Sequence, residues 1–316
     1  MQNKILIITP VKHIKGLYNK IKKIGKVRII ENISNKQFLK LKDEYKAIFT
    51  NPNKSEIYLG KKNLTKLTKL KIICTASTGT NHIDLDYCKK KKIKVISIAK
   101  DKKVINKISS TAELAFTLAL SSIRNLIPSY LDVQSRNWDY EKFIGRQMNF
   151  VNVGIIGYGR LGKLFHRYCK AFKANVKIYD PFIKNKLKNF VSLKTLLKDS
   201  DLISLHIHSN KNYKFLNKSK LTLMKKSVII VNTSRGEIID EKAMVAFLKK
   251  NKQSKIATDV LFNEIKNKFS SILYKYSLKN KDQVIITPHI GGMTIEGQKI
   301  AYTHAVDKLA KFFVKI

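Results

Sequence analysis

Acidic residues are scarce in this chain: 22 Asp and Glu among 316 residues, against 63 Lys and Arg, a formal net charge of +41. Cysteine is scarcer still. Cys74, Cys88 and Cys169 form an odd, scattered set with no Cys-x-x-Cys pair, which argues against a disulfide framework or a cysteine zinc site and suits a reduced compartment. No apolar run approaches the roughly 18 residues of a membrane span, and Met1 to Pro10 lacks the small-residue cleavage site of a signal peptide. A cytoplasmic protein without a membrane partner is therefore expected. Hydrophobic side chains are plentiful, at 44% of residues with 27% charged. That balance excludes a disordered or fibrous chain and provides for one large domain or two ordinary ones.

So large a positive charge points first to nucleic acid or an anionic surface, since cations that neutralise phosphates supply most non-specific affinity. Only seven of the basic residues are Arg, however, and nucleic-acid readers favour Arg for its bidentate fork. The excess is lysine spread from end to end among abundant Asn and Ile, with one short cluster at Lys89 to Lys92. This pattern fits a solvated lysine surface with no dedicated nucleic-acid partner, one that still draws in small acids.

Short β-branched runs alternate with amphipathic stretches from the start: Ile5 to Thr9, Val27 to Ile30, Ala47 to Thr50, Ile72 to Thr75 and Val95 to Ile98. This is the βαβ rhythm of a parallel sheet. The pattern then predicts a long helix from about Thr111 to Leu126, capped by Ser109 or Ser110 and ended by Pro128, suited to a spine between two domains. Six further strands follow, Asn152 to Ile156, Val176 to Tyr179, Leu202 to Ile207, Val228 to Asn232, Ile256 to Val260 and Val284 to Thr287, the number in a complete dinucleotide fold. One last helix is expected over Thr294 to Val314, packed back on the first domain.

The first strand of this second set runs into Gly157-Tyr158-Gly159-Arg160-Leu161-Gly162, a G-x-G-x-x-G turn that opens a helix. Gly157 permits the tight turn, Gly159 lets backbone approach a pyrophosphate, and Gly162 allows close helix–strand packing. Asp180 ends the next strand, where a carboxylate can accept both adenosine ribose hydroxyls and would repel a 2′-phosphate. NAD is the expected cofactor, although Lys184 and Lys186 lie nearby.

Three later segments place polar residues just after strands, the edge at which open α/β sheets bind ligands. They are Asn232 to Gly236, Asp259 to Glu264 and Thr287 to Gly292. Arg235 supplies a planar fork for a carboxylate and its neighbouring carbonyl, and His289 can move a proton near neutral pH. A carboxylate beside that ring can hold it and stabilise its charged form. Together these are the parts of an oxo-acid reductase. The pair His206-x-His208 has no third ligand and implies no metal; His13, His82, His166 and His304 have no partner that the sequence identifies.

These segments and their spacing resemble the D-isomer-specific 2-hydroxyacid dehydrogenases over essentially the whole chain. The resemblance implies an α/β architecture of two doubly wound parallel sheets: a flavodoxin-like substrate domain, 1–100 with 293–316, and a Rossmann NAD-binding domain, 101–292. It implies that Arg235 binds the substrate carboxylate and carbonyl, that His289 is the acid/base, and that Glu264 pairs with His289. Tyr158, Gly159, Arg160, Leu161, Asp180, His206, Thr233, Ser234, Arg235, Asp259, His289, Gly291 and Gly292 would line NAD, with the acid in a cleft between domains. In the first domain, Ser77 to Asp84 resembles the family's substrate loop, where Thr78 and Gly79 would offer backbone N–H groups to a carboxylate, with Asn53 beside them. The Gly-Thr-Asn-x-Ile-Asp-Leu run is most similar to phosphoglycerate dehydrogenases, which implies 3-phosphoglycerate and serine biosynthesis. Against this, Thr50 to Ser55 lacks the arginine that often meets a substrate phosphate. Either Lys54 substitutes, or the enzyme is a glyoxylate or hydroxypyruvate reductase. A cofactor-dependent binding protein without turnover is a further alternative. His208 and Ile265 stand where the family usually has proline. Arg136-Asn137-Trp138 resembles the family's dimerisation arm, so a homodimer is expected, and no C-terminal regulatory domain is.

Overall fold

The computed structural model describes residues 3–52, 57–183, 188–209 and 212–314. The chain forms two compact units, Met1–Ile108 with Met293–Ile316, and Ser109–Gly292.

In the first unit five short strands, β1 (Lys4–Ile7), β2 (Lys26–Ile29), β3 (Ala47–Thr50), β4 (Ile72–Thr75) and β5 (Lys94–Ile96), form a parallel sheet in the order β2-β1-β3-β4-β5. This is the flavodoxin-like order. The central strands β3 and β4 are buried throughout and largely apolar because both of their faces are covered. Alternate residues serve opposite cores: Ile5, Ile7, Phe49 and Cys74 pack with Tyr302, Ala305 and Leu309 of the closing helix Ile295–Val314, whereas Leu6, Ile8, Ile48 and Ile73 pack with Phe38, Leu64 and Leu67. The segment from Asp101 to Ile108, expected in the second domain, belongs here. Ile105 and Ile108 join this core, and the Asp101 carboxylate accepts from the Lys308 ammonium at 2.7 Å.

The second unit holds β6 (Asn152–Ile156), β7 (Asn175–Tyr179), β8 (Leu202–Leu205), β9 (Ile229–Asn232), β10 (Lys255–Thr258) and β11 (Val284–Ile286), all parallel, in the order β11-β10-β9-β8-β6-β7. The six strands match the expected runs, but not the six positions of a Rossmann sheet. The position outside β7 is taken by a single bridge, where the Ile178 amide donates to Asn189 O and the Val191 amide to Ile178 O, both at 2.9 Å. With this bridge counted, the order on that side is 3-2-1, the reversal that makes a topological switch point. β11 is then a seventh position at the far edge.

The helix expected from Thr111 to Leu126 runs over Ser110–Ile123 and is not ended by Pro128. Asn125 takes a left-handed φ of 53°, which breaks the helix. Pro128 lies in the first turn of a second helix, Leu126–Gln134, where its missing N–H would have no intrahelical partner in any case.

Asp201, at the mouth of β8, ties the sheet to its flanks. Its Oδ2 accepts from the Asn152 amide at 2.9 Å and its Oδ1 from the Lys225 ammonium at 2.7 Å, with Arg146 3.3 Å away. Burial alone would raise its pKa, but these partners hold it below the ordinary carboxylate value. A carboxylate so depressed stabilises the fold above its unfolded pKa, about 3.9, and that contribution is lost as pH falls through the folded value. Asp201→Asn is expected to lower stability at neutral pH by about 1–3 kcal/mol. Urea melts of both proteins should show the gap closing below about pH 4.

Candidate active site

At the end of β6 the chain turns through Gly157, whose φ is 93°, and enters the helix Arg160–Ala171 at Gly159. A Cβ on Gly157 would meet His206 O at 2.5 Å, and one on Gly162 would meet Gly157 O at 2.1 Å, so both glycines are demanded by the turn's own packing. A Cβ on Gly159 would meet nothing within 4 Å, and no side chain caps the helix it opens. The backbone is thus open where amide groups and the helix dipole face outward, the setting for an anion. Beside the turn, Asp180 accepts from the Tyr158 amide at 2.8 Å and from the Phe182 amide at 2.9 Å. Tyr179, Asp180, Pro181, Phe190, Val191 and Ser192 line a cavity of about 450 Å³. An open glycine, an uncapped helix start and a carboxylate at a cavity fit a dinucleotide. Lys184 and Lys186 lie outside the described residues.

Tyr158 is held from two sides: its hydroxyl lies 2.7 Å from Nδ1 of buried His166, and its ring meets Phe190 edge-on. His13 and His304 also have partners, Gln298 and Asp101. His206, expected to line NAD, has its ring turned inward. Its ring lies against Phe165, with Nε2 3.0 Å from Ser204 Oγ and Nδ1 buried without a hydrogen-bond partner. Burial pushes its pKa down to about 3, so the ring stays neutral behind the glycine turn, which its backbone oxygen adjoins.

Arg235, Glu264 and His289 come from the ends of β9, β10 and β11. Buried Asn232 shapes the first loop, accepting from the Ser234 amide and donating to Arg235 O, both at 3.0 Å. Ser234 donates to Leu205 O, and Thr233 is buried. Burial lowers the Arg235 pKa, opposed by Glu264 and Glu237; a guanidinium remains charged at any physiological pH. Gly236 touches the next loop directly, for a Cβ there would lie 2.0 Å from Leu261 C and 2.3 Å from Phe262 N. Glycine is required by this approach.

In that next loop Glu264 Oε2 accepts from the Leu261 amide at 3.2 Å, and Oε1 lies 2.5 Å from His289 Nδ1. Burial would raise the Glu264 pKa, but the bond to His289, the imidazole's charge, the Leu261 amide and Arg235 bring it below its ordinary value. The ionised carboxylate accepts a hydrogen bond from Nδ1–H and leaves Nε2 as the nitrogen able to exchange a proton.

Asp259 secures the His289 turn. Its Oδ1 accepts from Thr287 Oγ1 at 2.6 Å and from the Ile290 amide at 2.8 Å, and its Oδ2 from the Gly291 amide at 2.8 Å. Burial nevertheless raises its pKa, because it outweighs these bonds. The turn leaves His289 at a left-handed φ of 55°. Thr111 donates to Gly291 O at 3.0 Å, while a Cβ on Gly292 would meet nothing within 4 Å.

In the first unit, Thr78 and Gly79 lie in the loop after β4, held by Ser77 Oγ donating to Gly79 O at 2.5 Å. Thr78 is exposed. Asn53 and Lys54 lie outside the described residues. Thr111 and Glu241 are positioned to support the site, yet no sequence signal marks them apart from ordinary helix residues, whereas Asn232 opens one of the polar segments singled out by sequence.

Residues 116–291 match the family model for the NAD-binding domain of the D-isomer-specific 2-hydroxyacid dehydrogenases. The chain belongs to this family. Its second unit carries the family's NAD-binding domain. It is 31% identical to D-3-phosphoglycerate dehydrogenase of Methanocaldococcus jannaschii, over 98% of this chain and 57% of that protein. It is 32% identical to hydroxypyruvate reductase of Thermotoga maritima, over 77% of each. A solved structure of D-lactate dehydrogenase from Aquifex aeolicus, with NAD and lactic acid, is similar at 30% identity and a TM-score of 0.80, covering 99% of this chain and 96% of that one. The chain spans about half the length of the phosphoglycerate dehydrogenases it matches.

The two kinds of glycine in this turn should separate experimentally. Gly159→Ala is expected to leave the thermal midpoint unchanged and to weaken NADH binding by on the order of tenfold, about 1.4 kcal/mol. Gly162→Ala is expected to cost about 1–3 kcal/mol of stability through overpacking. Thermal melts and NADH fluorescence titrations measure both.

Proposed function

We propose that this chain is an NAD-dependent dehydrogenase acting on the CH–OH group of a D-2-hydroxy acid. The observation that carries the proposal is the His289–Glu264 pair at 2.5 Å in the unit that also holds the glycine turn, Asp180 and Arg235. NAD, when bound, supplies the hydride acceptor or donor. Tyr158, Gly159, Arg160, Leu161 and Asp180 hold its adenosine and pyrophosphate; Thr233, Ser234, Arg235, Asp259, His289, Gly291 and Gly292 line its nicotinamide end. His206 serves from beneath the turn and not through its ring. Arg235 binds the acid's carboxylate and carbonyl as a fork. In reduction His289 Nε2 gives its proton to the carbonyl oxygen, and in oxidation it takes the hydroxyl proton. Glu264 stabilises the imidazolium in both directions. Residues 1–108 and 293–316 form the substrate domain, where backbone amides at Thr78 and Gly79 receive the carboxylate and Asn53 is a further substrate-binding residue.

The phosphoglycerate dehydrogenase relatives favour 3-phosphoglycerate as substrate and a place in serine biosynthesis. The lack of an arginine in the Thr50 to Ser55 segment and the similarity to hydroxypyruvate and glyoxylate reductases favour, as second reading, reduction of a non-phosphorylated acid. A cytoplasmic homodimer is part of the proposal. It is supported by Trp138 and Tyr140, 89% and 80% exposed after the helix Leu126–Gln134, a concentration of apolar surface that favours association.

Absorbance of NADH, followed with phosphohydroxypyruvate, hydroxypyruvate, glyoxylate and pyruvate in parallel, tests the proposal. The expected preference is for phosphohydroxypyruvate; preference for another acid selects the second reading, and no oxidation with any of them rejects the dehydrogenase. His289→Ala is expected to lower turnover by on the order of 10² to 10⁴. Arg235→Lys should chiefly raise KM, because a point charge cannot replace a fork.

A further inference from the structure

The loop that carries Glu264 is poorly held by packing: no described side chain from 262 to 270 is buried, and Phe269 is largely exposed. Its two ends converge on one buried carboxylate, Glu241, the first residue of the helix Glu241–Lys250. Glu241 Oε1 accepts from the Phe262 amide at 3.2 Å. At the other end Ser271 Oγ donates to both oxygens, at 2.8 and 2.9 Å, and Oε2 also accepts from the Ile272 and Leu273 amides at 2.9 and 3.4 Å. Four donor groups, one at the loop's start and three at the start of the helix Ile272–Ser277 that ends it, thus meet one side chain.

We propose that Glu241 is a positioning residue that acts through this loop, holding Glu264 against His289 and seating the loop beneath Gly236. The inference rests on Glu264 and His289 being the acid/base pair. Phe262, pinned by Glu241, lies two residues before Glu264 and beneath the glycine that follows Arg235, so one carboxylate bears on both catalytic loops. Only an ionised carboxylate satisfies all the donors. The amide of glutamine has the same shape but turns an NH₂ donor toward N–H and O–H donors, and buried donors without acceptors drive the loop away.

The test compares wild type, Glu241→Gln, Ser271→Ala, Glu264→Gln and the Glu241→Gln/Glu264→Gln double variant by two readouts. The first is the ring N–H resonance of His289 in a ¹⁵N-edited NMR spectrum, which reports the bond to Glu264 without turnover. Wild type is expected to show it, Glu264→Gln to lose it, and Glu241→Gln to lose or broaden it. The second is kcat/KM, expected to fall by on the order of 10²-fold in Glu241→Gln, with NADH affinity unchanged. Ser271→Ala should fall less, and the double variant no further than Glu264→Gln alone. A wild-type resonance and rate in Glu241→Gln, or a full extra loss in the double variant, overturns the proposal. If Glu241→Gln does not fold, Ser271→Ala decides, and a wild-type resonance and rate there overturns it equally. A wild type that turns over no 2-oxo acid yet shows the resonance, lost in Glu241→Gln, rejects the enzymatic reading while leaving the positioning role intact.

Discussion

The carboxylate of Asp259, buried at the end of β10, gathers one hydroxyl and two amides from the turn after β11. That turn contains His289 in a left-handed conformation uncommon for residues other than glycine, though histidine adopts it more often than most. Without acceptors for those donors, nothing in the short strand Val284–Ile286 would hold the ring where it meets Glu264. The parallel sheet brings β9, β10 and β11 to one edge, but the edge alone gives positions only to within several ångströms. The final placement comes from side-chain bonds that run sideways between neighbouring loops: Asn232 within the first, Gly236 against the second, and Asp259 from the second to the third. Catalytic geometry in such a fold is therefore a property of lateral contacts as well as of the strands.

The scarcity of acids makes their distribution informative. With lysine so abundant, buried carboxylates might be expected to pair with ammonium groups. Asp259 and Glu241 instead receive backbone amides and hydroxyls, as does Asp180. An ammonium is strongly hydrated and carried on a long flexible stem, so it loses more on burial than an amide already fixed by the fold. Lys225 and Lys308 do meet carboxylates, those of Asp201 and Asp101, at part-buried positions.

Much of this was legible in the sequence where a residue type has a single physical use. Gly157 must take a positive φ, Gly162 must admit a neighbouring oxygen, and an acid at the end of β7 stands beside the turn. The fully buried strands β3, β4 and β8 also stood out. What was not legible depends on partners distant in sequence or on choices between equivalent uses. Pro128 ends a helix or begins one equally well, and Asn125 settled which. His206 was expected to line NAD from the family resemblance, but Phe165 and Ser204 draw its ring inward. The boundary at Ile108 follows from contacts with the last helix, some two hundred residues away.

Glu241 shows the same limit most clearly. It follows Asp240, whose side chain caps the helix, and an acid in a first helical turn has an ordinary reason to be there, the helix dipole. Nothing local separates that use from the one in the fold, where its oxygens meet Phe262 and the Ser271 to Leu273 segment. Both uses operate at once: one carboxylate sits in the first helical turn and accepts from the distant donors. A loop that must present a charged residue cannot be buried by apolar packing without desolvating that charge. Anchoring both ends of the loop on a remote carboxylate leaves Glu264 ionised and still fixed, and this resolves the conflict between holding an acid firmly and keeping it charged.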